Sequence, residues 1–103
     1  MYLLYFYVPE SHLETVKEAI FAEGAGHVGN YNQVAWHKEG LGQFCPLAGS
    51  NPTIGRQDEI AKIKEYKVET ACESKNLKNV LRALVDSHPY EIPAYGAIEV
   101  TTL

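Results

Sequence analysis

Residues 2–8, Tyr-Leu-Leu-Tyr-Phe-Tyr-Val, are apolar on both faces of any strand they form, and Pro9 ends the run. Leu4, Phe6 and Val8 fall on one side, Leu3, Tyr5 and Tyr7 on the other. A strand of this kind is covered on both faces in a folded protein. The chain has only 103 residues, 46% hydrophobic and 21% charged, which is material for a single globular domain, 1–103. The opening run carries no basic residues before it and reaches Pro9 too soon for a signal peptide. No apolar run approaches the roughly 20 residues of a membrane helix, so no membrane role is expected. A net charge of −4 argues against a general nucleic-acid binder, which needs a basic face. Cys45 and Cys72 form no CxxC pair and read as reduced thiols of a cytoplasmic protein, a disulfide between them being the lesser alternative.

The rest of the chain supplies two helices and more strands. Ser11-His12-Leu13-Glu14 fits a capping box, and Leu13, Val16, Ala19 and Ile20 keep helical spacing up to Gly24, predicting a helix over about 11–23. Residues 32–37 and 42–47 read as short strands joined by Lys38–Gly42, and the stretch from Ala48 to Gly55 as loop. A strand over 59–71 changes phase, since Ala61 and Ile63 belong to one face and Tyr66 and Val68 to the other. A bulge near Lys64-Glu65 would reconcile them. With Ser74 as N-cap, the stripe Leu77, Val80, Leu81, Leu84 and Val85 predicts a helix over 75–87, stopped by His88-Pro89. Residues 95–102 form a last strand. The order β-α-β-(β)-β-α-β is the split β-α-β, ferredoxin-like α+β arrangement, an antiparallel sheet with two helices on one face.

Two helices cover one face, and nothing else of size remains for the other. An exposed apolar sheet face marks an interface. The expectation is a homo-oligomer with sheets face to face; the alternative is that the long 38–58 segment folds over the sheet by itself.

Gly24-Ala25-Gly26-His27-Val28-Gly29 matches G-x-G-x-x-G letter for letter. A dinucleotide site needs that motif after a strand and before a helix, so that a helix start meets the phosphates. Here it follows a helix, which makes it a helix C-cap and tight turn, or a nest of backbone N–H groups for an anion. His12, His27, His37 and His88, with Glu91 and Cys45, are the available metal ligands, but no two histidines share a metal-binding spacing. The alternating charges from Asp58 to Glu69 read as a solvated strand edge. His88-Pro89-Tyr90-Glu91-Ile92-Pro93-Ala94-Tyr95 is a stiff, extended connector that carries His88, Tyr90 and Glu91 on a rigid frame.

Here a resemblance becomes specific. Val8-Pro9, Gly24 to Tyr31, Gly40-Leu41-Gly42-Gln43-Phe44, Asn51-Pro52-Thr53-Ile54-Gly55 and His88 to Tyr95 resemble, in order, the small domain inserted in the YqfO branch of the Nif-three-like proteins. That domain has the fold of CutA and the PII signalling proteins, and CutA carries a similar His-Pro-Tyr-Glu-x-Pro segment. The resemblance implies a trimer with ligands held in clefts between subunits. It does not carry over the dinuclear metal centre, whose flanking segments are not in this sequence. Where relatives have a Cys-Ser-Phe-like triplet, this chain has Val34-Ala35-Trp36.

The reading is a cytoplasmic, non-enzymatic PII/CutA-like trimer that binds a small ligand or divalent metal ion in a sensing role. The candidate lining is Gly26, His27, Asn30, Tyr31, His88, Tyr90 and Glu91, with His27, His88 and Glu91 as candidate metal ligands. No other cofactor is expected. The alternative is an assembly module that docks onto a Nif-three-like or other partner.

Overall fold

The computed structural model describes residues 1–102. Strand β1 (Tyr2–Pro9) leads through a single 3-10 turn into helix α1 (Leu13–Ala22). Strands β2 (Ala35–Phe44) and β3 (Ala61–Cys72) follow, then helix α2 (Leu77–Ser87) and strand β4 (Tyr95–Glu99). The four strands form one antiparallel sheet in the order β2-β3-β1-β4, which is the ferredoxin-like α+β fold read from the sequence.

The alternation in β1 is realised residue by residue. Leu4, Phe6 and Val8 are fully buried beneath the helices, where they meet Val68 and Cys72 of β3, Val16 and Ile20 of α1, and Val80 and Leu84 of α2. Burying each of these large side chains contributes about 1.5–3 kcal/mol. Leu3, Tyr5 and Tyr7 point to the helix-free face, where Tyr5 and Tyr7 meet edge to face at 6.4 Å. Helix α1 ends as the glycine predicts: Gly24 has φ +106°, its N–H bonds the Phe21 carbonyl, and the Ala25 N–H reaches back to Ile20. This is a Schellman motif, closed by the buried Ala25 against Ile20.

Several local expectations give way to tertiary structure. Ser11 does not cap α1: it lies inside the 3-10 turn Glu10–His12, and its hydroxyl bonds the His12 ring 2.8 Å away. Glu14 pairs instead with Lys17 at 3.2 Å. Ser74 likewise sits in a 3-10 turn, Ser74–Asn76, before α2 and makes no cap. Ser11→Ala is therefore expected to change stability by less than about 0.5 kcal/mol in urea unfolding, where a working cap would cost about 1 kcal/mol. The two short strands expected at 32–37 and 42–47 are one strand, because ten consecutive pairs with β3 hold the backbone extended straight through Gly40 and Gly42.

The expected bulge at Lys64-Glu65 is absent, since the β2–β3 register runs unbroken through both residues and the β1–β3 register runs unbroken down to Glu65. The phase changes for another reason. Beyond Pro9 the β2–β3 ribbon outruns β1, and there Ala61 and Ile63 turn to the helix-free face, on the side of Phe44 and Gly55. Strand β3 is also not an edge: it lies between β2 and β1, with Glu65, Lys67 and Glu69 on the helix-free face and Lys62 and Lys64 on the other, where Lys64 pairs with Glu10 and Glu39. The last strand stops at Glu99, with one further bond from the Val100 N–H to the Met1 carbonyl. Cys45 and Cys72 are free thiols, Cys45 exposed and Cys72 buried. No helix among the described residues is long and apolar enough to cross a membrane.

Candidate functional site

On the helix-free face, β2 presents Trp36, Lys38, Gly40, Gly42 and Phe44, while β3 presents Ile63, Glu65, Lys67 and Glu69. Two successive glycines leave a floor without side chains between Lys38 and Phe44. A Cβ at Gly40 would meet nothing within 4 Å, while one at Gly42 would collide with the Glu65 carboxylate that lies across it. The loop after Phe44 folds back over this floor, and the connector from His88 to Ala94 closes the side. The result is a cavity of about 670 Å³ walled by Trp36, Phe44, Ile54, Tyr7, Tyr90 and Ile92. That volume is the size of small-molecule sites, which run from about 300 to 1,000 Å³.

Loop and connector are held together by residues far apart in sequence. The Thr53 hydroxyl donates to the Pro89 carbonyl at 2.7 Å, and the Asn51 N–H donates to Glu91 Oε1 at 3.1 Å. The Tyr90 hydroxyl donates to Glu65 Oε2 at 2.8 Å, and burial together with that carboxylate pushes the phenol well above its ordinary pKa. Gly42→Ala is expected to displace Glu65 and break its bond to Tyr90, lowering stability by about 1 kcal/mol in urea unfolding.

His88 is 7% exposed and both its ring nitrogens are engaged. Nε2 donates to the Tyr7 carbonyl at 2.7 Å and Nδ1 accepts from the Tyr90 N–H at 3.2 Å, which assigns the neutral Nε2–H tautomer. Burial pushes the imidazole below its ordinary pKa, against the pull of the Tyr7 carbonyl. His88 thus clamps the connector to the end of β1, one step behind the cavity wall.

The expected lining residues divide into two groups. Tyr90 and Glu91 line the cavity, and His88 orients them. Gly26, His27, Asn30 and Tyr31 lie at the opposite end of the sheet. There the Gly26 N–H bonds the Ala71 carbonyl at 2.8 Å, and Val28 and Tyr31 exchange two bonds across Gly29-Asn30 in a tight hairpin turn. Within one chain the two groups do not meet. Among the described residues, no three His, Cys, Asp or Glu side chains gather as a metal set, so His27, His88 and Glu91 do not form one within the chain. Sequence reasoning did not name Trp36, Lys38, Phe44, Glu65 or Lys67 as lining residues. The signal for them was the alternation Trp-x-Lys-x-Gly-x-Gly-x-Phe over 36–44, visible only once those residues are read as one strand.

No protein-family model matches the chain. It is 41% identical over 95 residues to a GTP cyclohydrolase 1 type 2 homolog of Halalkalibacterium halodurans, covering 92% of this chain and 26% of that protein. The Bacillus subtilis protein of the same name is 41% identical over 94 residues, covering 91% of this chain and 25% of its own length. The chain thus spans about a quarter of the length of these relatives. Among solved structures, a Bacillus cereus protein related to NIF3 superposes with TM-score 0.84 at 31% identity, over 98% of this chain and 26% of that one. CutA1 from Pyrococcus horikoshii superposes with TM-score 0.71 at 17% identity over 100% of this chain and 86% of its own, a likeness of fold. The resemblance to the Nif-three-like proteins and to the CutA fold is thereby shown.

Proposed function

From a chain homologous to a quarter-length segment of the GTP cyclohydrolase 1 type 2 homologs and folded as CutA is, we propose a small, non-catalytic binding protein of the PII/CutA kind. In this reading residues 1–103 act as one domain in the cytoplasm. Three chains assemble through their helix-free sheet faces, and each holds a small ligand in the cavity beneath the 45–60 loop, at the cleft between subunits. The observation that carries the reading is the half-covered sheet face. The loop and connector roof one end of it around a volume of about 670 Å³, while Trp36, 55% exposed, and Ile98, 54% exposed, leave the other end apolar and open. Tyrosine and tryptophan at such a boundary suit an interface with one dry and one wet end. A divalent metal ion is the weaker occupant, because His88 has no free nitrogen within the chain.

Light scattering on the purified protein tests the assembly, with a mass of three chains expected and a monomer at micromolar concentration overturning it. Thermal unfolding in the presence of small organic molecules, and separately of divalent metal salts, tests the occupant. A trimer that no small molecule stabilises would favour the second reading, an assembly module for a larger partner. That reading draws on Ile92, which stands 81% exposed at the rim of the cavity, and on the larger size of the relatives.

A further inference from the structure

Resting on the small-ligand reading, we propose that the cavity takes an organic cation, an amine with an apolar body, whose nitrogen sits at the Glu65 carboxylate beside the Phe44 and Tyr90 rings. The cavity is bordered by the carboxylates Glu39, Glu65, Glu69 and Glu91 and by the ammonium groups Lys38 and Lys67. Glu39 is paired with Lys64 on the other face of the ribbon. Glu65, Glu69 and Glu91 belong to no ion pair among the described residues. The Tyr90 hydroxyl and the Asn51 N–H orient Glu65 and Glu91 by hydrogen bonds and leave each its charge.

The two signs are separated along the sheet. Lys67 stands opposite Lys38, and Glu69 shares their end of the cavity opposite Trp36. Lys67 also leans away over β1, its ammonium 5.7 Å from the Tyr5 ring and 5.9 Å from the Tyr7 ring. Glu65 stands opposite Gly40 and leans the other way, laying its carboxylate across Gly42 towards Phe44. The end walled by Phe44 and Tyr90, whose ring centroids are 6.4 Å apart, thus holds Glu65 and Glu91 without a basic partner. Glu65 Oε2 takes the Tyr90 hydroxyl, and Oε1, over Gly42, has no donor among the described residues. A half-buried carboxylate beside two aromatic rings binds an ammonium group twice over, by a charge-assisted hydrogen bond and by cation–π attraction. The apolar walls Trp36, Ile54 and Ile92 suit an organic body. A bare divalent ion such as calcium wants about six oxygen ligands, and no three acidic, His or Cys side chains gather among the described residues.

The test titrates three naphthalenes of nearly the same shape into the intact protein: cationic naphthylmethylamine, uncharged naphthalenemethanol and anionic naphthoate. Trp36 is the only tryptophan and walls the cavity, so the shift of its indole N–H signal in a nitrogen-edited NMR spectrum reports occupancy. The amine should saturate one site per chain and bind at least about tenfold tighter than the alcohol, with naphthoate weakest. Glu65→Gln keeps an acceptor for the Tyr90 hydroxyl and should weaken the amine about tenfold while the alcohol binds as before. Glu91→Gln, at an exposed charge, should weaken the amine about threefold. Gly40→Leu fills open space and should block amine and alcohol alike while the protein still unfolds cooperatively. Equal affinity for amine and alcohol, or folded Glu65→Gln and Glu91→Gln variants that bind the amine like the parent, would overturn the charge assignment while the cavity reading stood. Displacement of the amine by an equal concentration of calcium would overturn the organic body. If none of the three compounds moves the Trp36 signal, both readings fall.

Discussion

Gly26→Val is expected to be among the most damaging single substitutions in this protein, costing about 2–6 kcal/mol. Gly26 has φ +76°, where a β-branched residue is an outlier costing about 1–3 kcal/mol. A Cβ there would stand 3.0 Å from the Val34 backbone nitrogen, 3.0 Å from its oxygen and 3.0 Å from the Phe21 ring. Such overpacking adds about 1–3 kcal/mol. The backbone cannot move aside, because the Gly26 N–H bonds Ala71 at 2.8 Å and its carbonyl accepts the Val34 N–H at 2.9 Å. Gly29 is the internal control. Its φ is +57° but a Cβ would meet nothing within 4 Å, so Gly29→Asn should cost about 1 kcal/mol or less. Urea midpoints at constant slope measure both. Equal losses would mean that Gly26 does not tie the turn to β3.

His88→Ala is expected to lower stability by about 2–4 kcal/mol, because it leaves the Tyr7 carbonyl and the Tyr90 N–H without partners in a buried setting. The same histidine makes wild-type stability depend on pH. Its folded pKa lies below the ordinary value of 6.5, so the unfolded chain takes up the proton first. The contribution is complete above about pH 6.5 and is lost as pH falls from there through the lower folded value. Urea unfolding across pH 7.5 to 4.5 should show this decline in the parent and a correspondingly shallower one in His88→Ala. A parent and variant with parallel pH profiles would remove His88 as the titrating group. Because Tyr90 walls the cavity, the variant should also loosen the connector there, read as faster hydrogen exchange at Tyr90.

Much of the fold was legible because its signals are local. The two-faced β1, the stripe of α2 and the Gly24 C-cap each follow from spacing within a dozen residues. The G-x-G-x-x-G segment does follow a helix, as read, and Gly24 and Gly26 serve the turn that ties α1 to β3. The capping box at Ser11 and the N-cap at Ser74 misled because a 3-10 turn intervenes at both helix starts, moving both serines out of the cap position. The glycines at 40 and 42 misled more, since isolated propensity breaks a strand where ten paired positions carry it through.

The candidate site was half legible. The connector drew notice for its two prolines and its His88, Tyr90 and Glu91, and it does wall a cavity, with His88 one step behind. The opposite wall escaped notice because Trp36, Lys38 and Phe44 share a face only in the continuous β2.

What the sequence alone determined here is the order of elements, the residues of the helix-covered core and the apolar second face of β1, all set by periodicity along the chain. Only the tertiary structure decided that β3 is interior, that its Glu65, Lys67 and Glu69 face a cavity, and that Asn51 meets Glu91 across 40 positions. The physical reason is the same in each case. These features depend on which distant segments pair, and the energy of that pairing is written in no single stretch of sequence.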